Sequence, residues 1–327
     1  MFIARSPLRI SIGGGGTDLP SYYRKAGGYV IACAIDKYIY TSIIKPYEKG
    51  IFLKYSEIER AKNPSQIKHK IFRELLMMQD YKDDYQIEIS TLADIPAGTG
   101  LGSSGAFTVS ALKALQYFNS DYKSNKSIAE LACHVEIDRL KEPVGKQDQY
   151  ISAIGGMCEL IFNKDDSVEV NRLDIPEKNL NLIKDSIVMF FTGYSRSASE
   201  VLKTQNEKTI SSNEEMIKNL DSVKEMGKTS KKLLINGDVN QYGLLINDHW
   251  KEKLKRSSNM CPEEIKNYIE IGLNNGALGG KLVGAGGGGF LLFIASDKSQ
   301  LRETMHNLGL QELNFNIDNL GVHIIET

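Results

Sequence analysis

Apolar and polar positions alternate with a period near two over residues 2–12, 28–46 and 85–92, which predicts strands there. The period lengthens toward 3.6 over 65–79, 103–117 and 127–140, which predicts helices. After Gly155-Gly156 two short alternating runs reach about residue 174, residues 176–185 are polar and punctuated, and the apolar run 186–192 reads as a strand. A charged, helix-patterned region fills 198–256. Pro262 followed by Glu263 and Glu264 predicts a further helix start, and Asn274-Asn275-Gly276 its stop. Two strands then flank a glycine run, and a helix near 298–308 precedes a final strand pair. The polar stretch around 180 divides the chain into an amino-terminal part, 1–180, and a carboxy-terminal part, 181–327, in β, α, β, β, α, β order.

Three glycine clusters interrupt this pattern, each after a strand-like run: Gly13-Gly14-Gly15-Gly16, the stretch from Pro96 to Ala106, and Gly284-Ala285-Gly286-Gly287-Gly288-Gly289. A single cluster reads as a sharp turn. Glycine at this density raises the entropic cost of folding, so three clusters imply several places where backbone approaches a ligand closely. In the middle cluster Gly98, Gly100, Leu101, Gly102, Ser103, Ser104 and Gly105 lead into a helix, an arrangement that points free amides and the helix dipole at an anion. Gly100, Gly102 and Gly105 satisfy GxGxxG, but the acidic second strand of a dinucleotide site is replaced by a polar loop at 118–126. No glycine there precedes a lysine, which excludes a P-loop. A phosphate loop of another type remains.

The 327 residues are 41% apolar, enough for one large or two ordinary domains. A formal net charge of -1, with no long basic run, excludes a nucleic-acid partner from the expectation. Cys33, Cys133, Cys158 and Cys261 form no CxxC pair and read as packing residues in a reducing compartment. Arg5 and Arg9 interrupt the first apolar stretch and the longest later run is short, so no signal peptide or membrane span is expected, and a cytoplasmic location is.

With all three clusters in order, the chain resembles the GHMP kinases, named for galactokinase, homoserine kinase, mevalonate kinase and phosphomevalonate kinase. Residues 7–18 resemble the family's first motif, 96–106 its ATP phosphate loop and 281–290 its carboxy-terminal glycine loop. The resemblance implies an α+β fold of two domains. The first is a mixed α/β domain like domain 2 of ribosomal protein S5, and the second is ferredoxin-like. It also implies ATP and Mg2+. By the same resemblance Asp148, in Gly145-Lys146-Gln147-Asp148-Gln149, matches the catalytic aspartate and Glu136 the magnesium ligand. Ser103 and Ser104 are both candidates for the hydroxyl on the metal, and the choice between them stays open. Arg9 matches a basic residue expected beside the aspartate, where a cation favours the charged carboxylate and the charge on the moving phosphoryl group. Asp138 and Glu142 are left as surface charges.

Galactokinase-like members carry Glu-His before Thr-Asp, whereas this chain has Gly15-Gly16-Thr17-Asp18. The run resembles kinases of D-glycero-D-manno-heptose 7-phosphate and the kinase portion of fucokinases, both of which phosphorylate an anomeric hydroxyl. A heptose phosphate is the preferred acceptor, with L-fucose or another sugar as the alternative, and its product would feed nucleotide-heptose and surface-polysaccharide synthesis. Asp18, held by Thr17, is expected to accept hydrogen bonds from the sugar, with Gly15, Gly16, Gly286 and Gly287 alongside. Arg196, Ser197 and Lys251 are candidates for a second phosphate. A sugar- or nucleotide-binding regulator of the same fold is the non-enzymatic alternative, and retention of Arg9, Glu136 and Asp148 together argues against it. Small-molecule partners are expected, and a homodimer is allowed for.

Overall fold

The computed structural model describes residues 1–79, 85–194, 198–256 and 261–325. Its elements in order are β1 (Phe2–Gly13), α1 (Pro20–Ala26), β2 (Gly28–Ile44), β3 (Gly50–Lys54), β4 (Ile58–Ala61), α2 (Lys70–Met77), β5 (Gln86–Ala93), α3 (Ser103–Phe118), α4 (Asn125–Cys133), a π-helical turn (His134–Arg139), α5 (Gln147–Ile154), β6 (Met157–Phe162), β7 (Val168–Arg172), α6 (Glu177–Ser186), β8 (Ile187–Phe191), α7 (Ala198–Ile210), α8 (Glu214–Asn236), α9 (Val239–Leu254), α10 (Glu263–Asn274), β9 (Ala277–Leu282), β10 (Phe290–Ala295), α11 (Lys298–Asn307), β11 (Gln311–Glu312) and β12 (His323–Ile325).

The long strand β2 organises the first, 8-stranded sheet. Its first half, Gly28 to Cys33, pairs with β6, and its second half, from Ile39 to Ile44, pairs with β5, while β1 runs antiparallel along most of its other edge. Among the described residues only β3 and β5 pair in parallel. The second, 4-stranded sheet has the order β11-β8-β10-β9, antiparallel throughout, with helices filling its connections in the ferredoxin-like manner. The final strands do not stay together as a pair: β11 closes the second sheet, but β12 returns to β1, where Ile325 faces Ile3 and His323 faces Arg5. The last strand of the chain is thus part of the first sheet.

Local chemistry explains most boundaries. The side chain of Asn213 accepts from the amide of Met216, Glu214 and Glu215 occupy the first turn, and Gly237 ends α8 at a positive φ of 71°. In α3, Gly105, Ala106, Ser110, Ala111 and Ala114 are buried and small, so the helix lies close against β1 and β2. The helix expected over 127–140 splits into α4 and the π-helical turn. The hairpin β3–β4 and the helices α1, α5 and α6 were not expected. Each is short, and a few residues give too little periodicity to distinguish from a loop.

One hydrophobic core lies beneath the first sheet and contains Phe72, Leu115 and Phe162. A second joins the two halves through Leu8, Ile10, Met189 and Leu292, and a third, around Phe190 and Phe293, lies under α10 and α11. All four cysteines are buried and free. Among the described residues no helix is long and apolar enough to cross a membrane.

Candidate active site

Strand β1 delivers Arg9 to the junction of three segments. Its Nε and Nη2 donate to Oδ1 and Oδ2 of Asp148 at 2.6 and 2.9 Å, and its Nη1 donates to the carbonyl of Gly100 at 2.6 Å. The planar fork thus holds a carboxylate at two points and fixes the glycine turn with its third donor. Asp148 stands in the first turn of α5, with a quarter of its side chain exposed to the cleft. A Cβ on Gly105 would stand 2.7 Å from the Cβ of Asp148, so only glycine lets α3 approach the carboxylate this closely. Gly100 likewise admits the third glycine cluster, since a Cβ there would lie 2.5 Å from the carbonyl oxygen of Val283.

Glu136 projects from the π-helical turn and is almost fully buried. Ser104 Oγ and Gln149 Nε2 both donate to its carboxylate in short hydrogen bonds. Burial pushes its pKa up to about 7 against the opposing effect of these two donors, and nearby Asp148 adds to the rise. Ser104 is therefore the serine that meets Glu136, whereas Ser103 lines the cleft at the start of α3. Asp18 is buried behind the first glycine cluster. It accepts from the amides of Gly16 and Gln147, both at 3.1 Å, and from Gln147 Nε2 at 3.2 Å. Burial, then the charge of Asp148, raises its pKa, and these hydrogen bonds pull the other way.

These groups border one cleft of about 860 Å³, within the range of small-molecule sites. One end is apolar, with Leu92, Tyr55, His69 and Phe107, the last two stacked at 5.0 Å. The other end is basic, with His249, Lys253, Arg256 and Lys281. Of the residues singled out in the sequence, Arg9, Gly15, Gly16, Asp18, Gly98, Gly100, Gly102, Ser103, Ser104, Glu136, Asp148 and Gly286 line the cleft.

The remainder are placed differently. Pro96, Leu101, Gly105 and Gly287 are not part of the lining; Leu101 is fully buried and its carbonyl accepts from the amide of Arg9. Thr17, expected beside the sugar as the residue that holds Asp18, instead braces the turn ahead of it. Its hydroxyl donates toward the carbonyls of Gly14 and Tyr29 at 2.9 Å and is shut away from the cleft. Lys251 is corrected, because it points outward from α9 and pairs with Asp248 at 2.8 Å. Glu142 is no plain surface charge, since it lines the cleft. Arg196 and Ser197 lie outside the described residues. The sequence reading missed the basic end. Its signal was the spacing of His249, Lys253 and Arg256, which puts all three on one helical face, together with a lysine in the apolar strand β9.

Residues 69–156 match the GHMP kinases N terminal domain, and residues 230–310 match the GHMP kinases C terminal domain. The chain is 28% identical over 302 residues to a D-glycero-alpha-D-manno-heptose 7-phosphate kinase of Campylobacter jejuni, covering 89% of this chain and 88% of that one. It is 25% identical to a bifunctional fucokinase/GDP-fucose pyrophosphorylase of Arabidopsis thaliana, over 92% of this chain and 30% of the longer protein. A crystal structure described as a D-glycero-D-manno-heptose 1-phosphate kinase from Bacteriodes thetaiotaomicron superposes with a TM-score of 0.80 at 24% identity, over 100% of this chain and 99% of that one. With both domains matched and the two halves meeting at one cleft, the chain belongs to the GHMP kinases, phosphotransferases with an alcohol group as acceptor.

Proposed function

We propose that this enzyme transfers the γ-phosphoryl group of ATP to the anomeric hydroxyl of D-glycero-D-manno-heptose 7-phosphate, giving the 1,7-bisphosphate. The observation that carries the reaction is Asp148, gripped at two points by Arg9 and open to a cleft whose floor is a glycine loop at a helix start. The choice of acceptor follows the relative from Campylobacter jejuni, which matches along most of both chains.

In this reading the apolar end around Tyr55, His69 and Phe107 takes the nucleotide base. The amides of the loop from Gly98 to Ser104 face the triphosphate, as a helix start favours anions. Asp148 accepts or orients the proton of the anomeric hydroxyl as that oxygen attacks in line, and Arg9 keeps the carboxylate aimed. Arg9 also fixes Gly100, so one side chain sets the distance between the acid and the phosphate loop.

Glu136 and Ser104 would hold Mg2+. The donors are all oxygen, the carboxylate is buried without a cation of its own, and Gln149 Oε1 beside it is buried with no hydrogen-bond partner. No group of three or more His, Cys, Asp or Glu side chains suited to a metal occurs among the described residues, so phosphate oxygens and water would complete the shell. Bound there, the ion would neutralise charge on the triphosphate oxygens.

ADP release with magnesium and ATP, measured against heptose 7-phosphate, L-fucose, galactose and mevalonate, tests the proposal. Heptose 7-phosphate should be the preferred acceptor. L-fucose as sole acceptor would replace it, and nucleotide binding without turnover on any sugar would favour a regulator.

A further inference from the structure

The basic end of the cleft carries hydrogen-bond donors that no described residue engages. His249 and Lys253 on α9, Arg256 just beyond it, and Lys281 on β9 all line the cleft, and each is 4% to 6% exposed. Lys253 has acceptors, the carbonyls of Leu282 at 2.8 Å and Gly284 at 2.5 Å. Arg256 is partly used: its Nε donates to Asn219 at 3.0 Å and its Nη1 to the carbonyl of Gly15 at 3.1 Å. Its Nη2 has no partner, and neither ring nitrogen of His249 has one. Lys281 forms no hydrogen bond or ion pair among the described residues.

A buried donor left unpaired is costly, and buried like charges also repel one another. The acids that Arg256 feels are already engaged. Asp18 is bonded to Gly16 and Gln147, and Glu252 is bonded to Asn219 and Lys255. Free donors from an arginine, a lysine and an imidazole, converging on one void, match a multiply charged oxyanion. Arg256 ties the cluster to the turn that precedes Asp18, and both it and Gln205 bond to that turn at Gly15 and Gly16.

We propose that His249, Arg256 and Lys281 form the seat of a phosphate monoester carried by the acceptor, so that this kinase selects sugars already phosphorylated at the end remote from the reacting hydroxyl. The inference rests on the reading of the cleft as a sugar kinase site and assigns its acceptor end.

Matched acceptor pairs test it: D-glycero-D-manno-heptose 7-phosphate against the unphosphorylated heptose, and mannose 6-phosphate against mannose, with the KM for ATP followed in parallel. The wild-type enzyme should prefer the phosphorylated member by at least about 100-fold in kcat/KM. Lys281→Met should cut that preference by about 10- to 100-fold, the range expected for one charge-assisted hydrogen bond, and Lys281→Arg should restore much of it. Lys281→Gln serves as a second variant if Lys281→Met is insoluble, and titration of heptose 7-phosphate into enzyme without nucleotide should show the same loss in affinity. An increase in the KM for ATP as large as that for the acceptor would overturn the assignment by placing the cluster on the nucleotide. An equal loss with both members of a pair would overturn it as well. A different sugar phosphate as the best acceptor would remove the heptose reading and leave this inference standing, whereas a neutral sugar as the only acceptor would sink the inference and leave the kinase reading intact.

Discussion

On the wall built from β1, α3, α5 and the π-helical turn, every buried acid has its donors in place. Asp148 has Arg9, Glu136 has Ser104 and Gln149, and Asp18 has Gln147 and Gly16. On the wall built from α9 and β9, Lys281, His249 and one arm of Arg256 have no hydrogen-bond partner among the described residues. Groups satisfied within the protein are set for orientation, because their geometry is fixed before any ligand arrives. Groups left bare are set for capture, because their missing partner has to come from outside.

The contrast breaks most sharply at Asp148. Asp148→Asn keeps the shape but removes the proton acceptor, and turnover should fall by about 100- to 10,000-fold. Affinity for ATP, followed by fluorescence titration, should change far less. Equal losses in both would mean that Asp148 belongs to binding.

Next comes the energetic cost of the bare wall. Lys281 is pushed down to about 7, first by burial and then by Arg256 and Arg9. Its unfolded-state value is the ordinary one near 10.5. Below pH 7 both states carry the proton and the penalty is constant; between 7 and 10.5 only the unfolded chain carries it, so stability from this group rises with pH. Lys281→Met should therefore stabilise the free enzyme at pH 7, by at most about 5 kcal/mol for a shift of this size, and the gain should shrink toward pH 10. Urea unfolding of both proteins at the two pH values measures it. A destabilised variant at pH 7 would mean that an unnoticed partner neutralises the lysine.

Between the walls, the two glycine loops touch. Gly284 has a φ of 76° and its Cβ would fall on the backbone of Gly100. Gly284→Ala should lower stability by about 2 to 3 kcal/mol and raise the KM for ATP. Wild-type values for both would show that the loops separate freely. The smallest effect belongs to Lys251→Ala, on the outer face of α9. Stability should stay within about 0.5 kcal/mol of wild type and the acceptor KM should not move. A raised acceptor KM would return Lys251 to the site.

The acidic wall was legible in the sequence, and the basic wall was not. Glycines ahead of a helix carry local chemistry that survives without knowledge of the fold, while Glu136 and Asp148 stood out only through the resemblance to the GHMP kinases, since a lone acid near a helix end reads locally as a cap or a solvated face. Lysines and histidines inside a charged helix read as solvated face, and only the packing of α9 against β9 decides which side is buried. That packing hides Lys253 and exposes Lys251, two positions apart on one helix. The long strands β1 and β2 were visible for the same local reason, since each carries many residues of one period. The return of β12 to β1 joins Ile325 to Ile3, a pairing that no local window contains.

The turn carrying Glu136 winds wider than an α-helix, with the amide of Leu140 reaching back five positions to Val135. Removing one residue between 134 and 139 would let the coil relax into ordinary winding and would swing everything after the cut around the axis by roughly 100°. Regularity and chemistry are thus rivals in this segment: a redesign that scored better as a helix would leave Ser104 facing empty space.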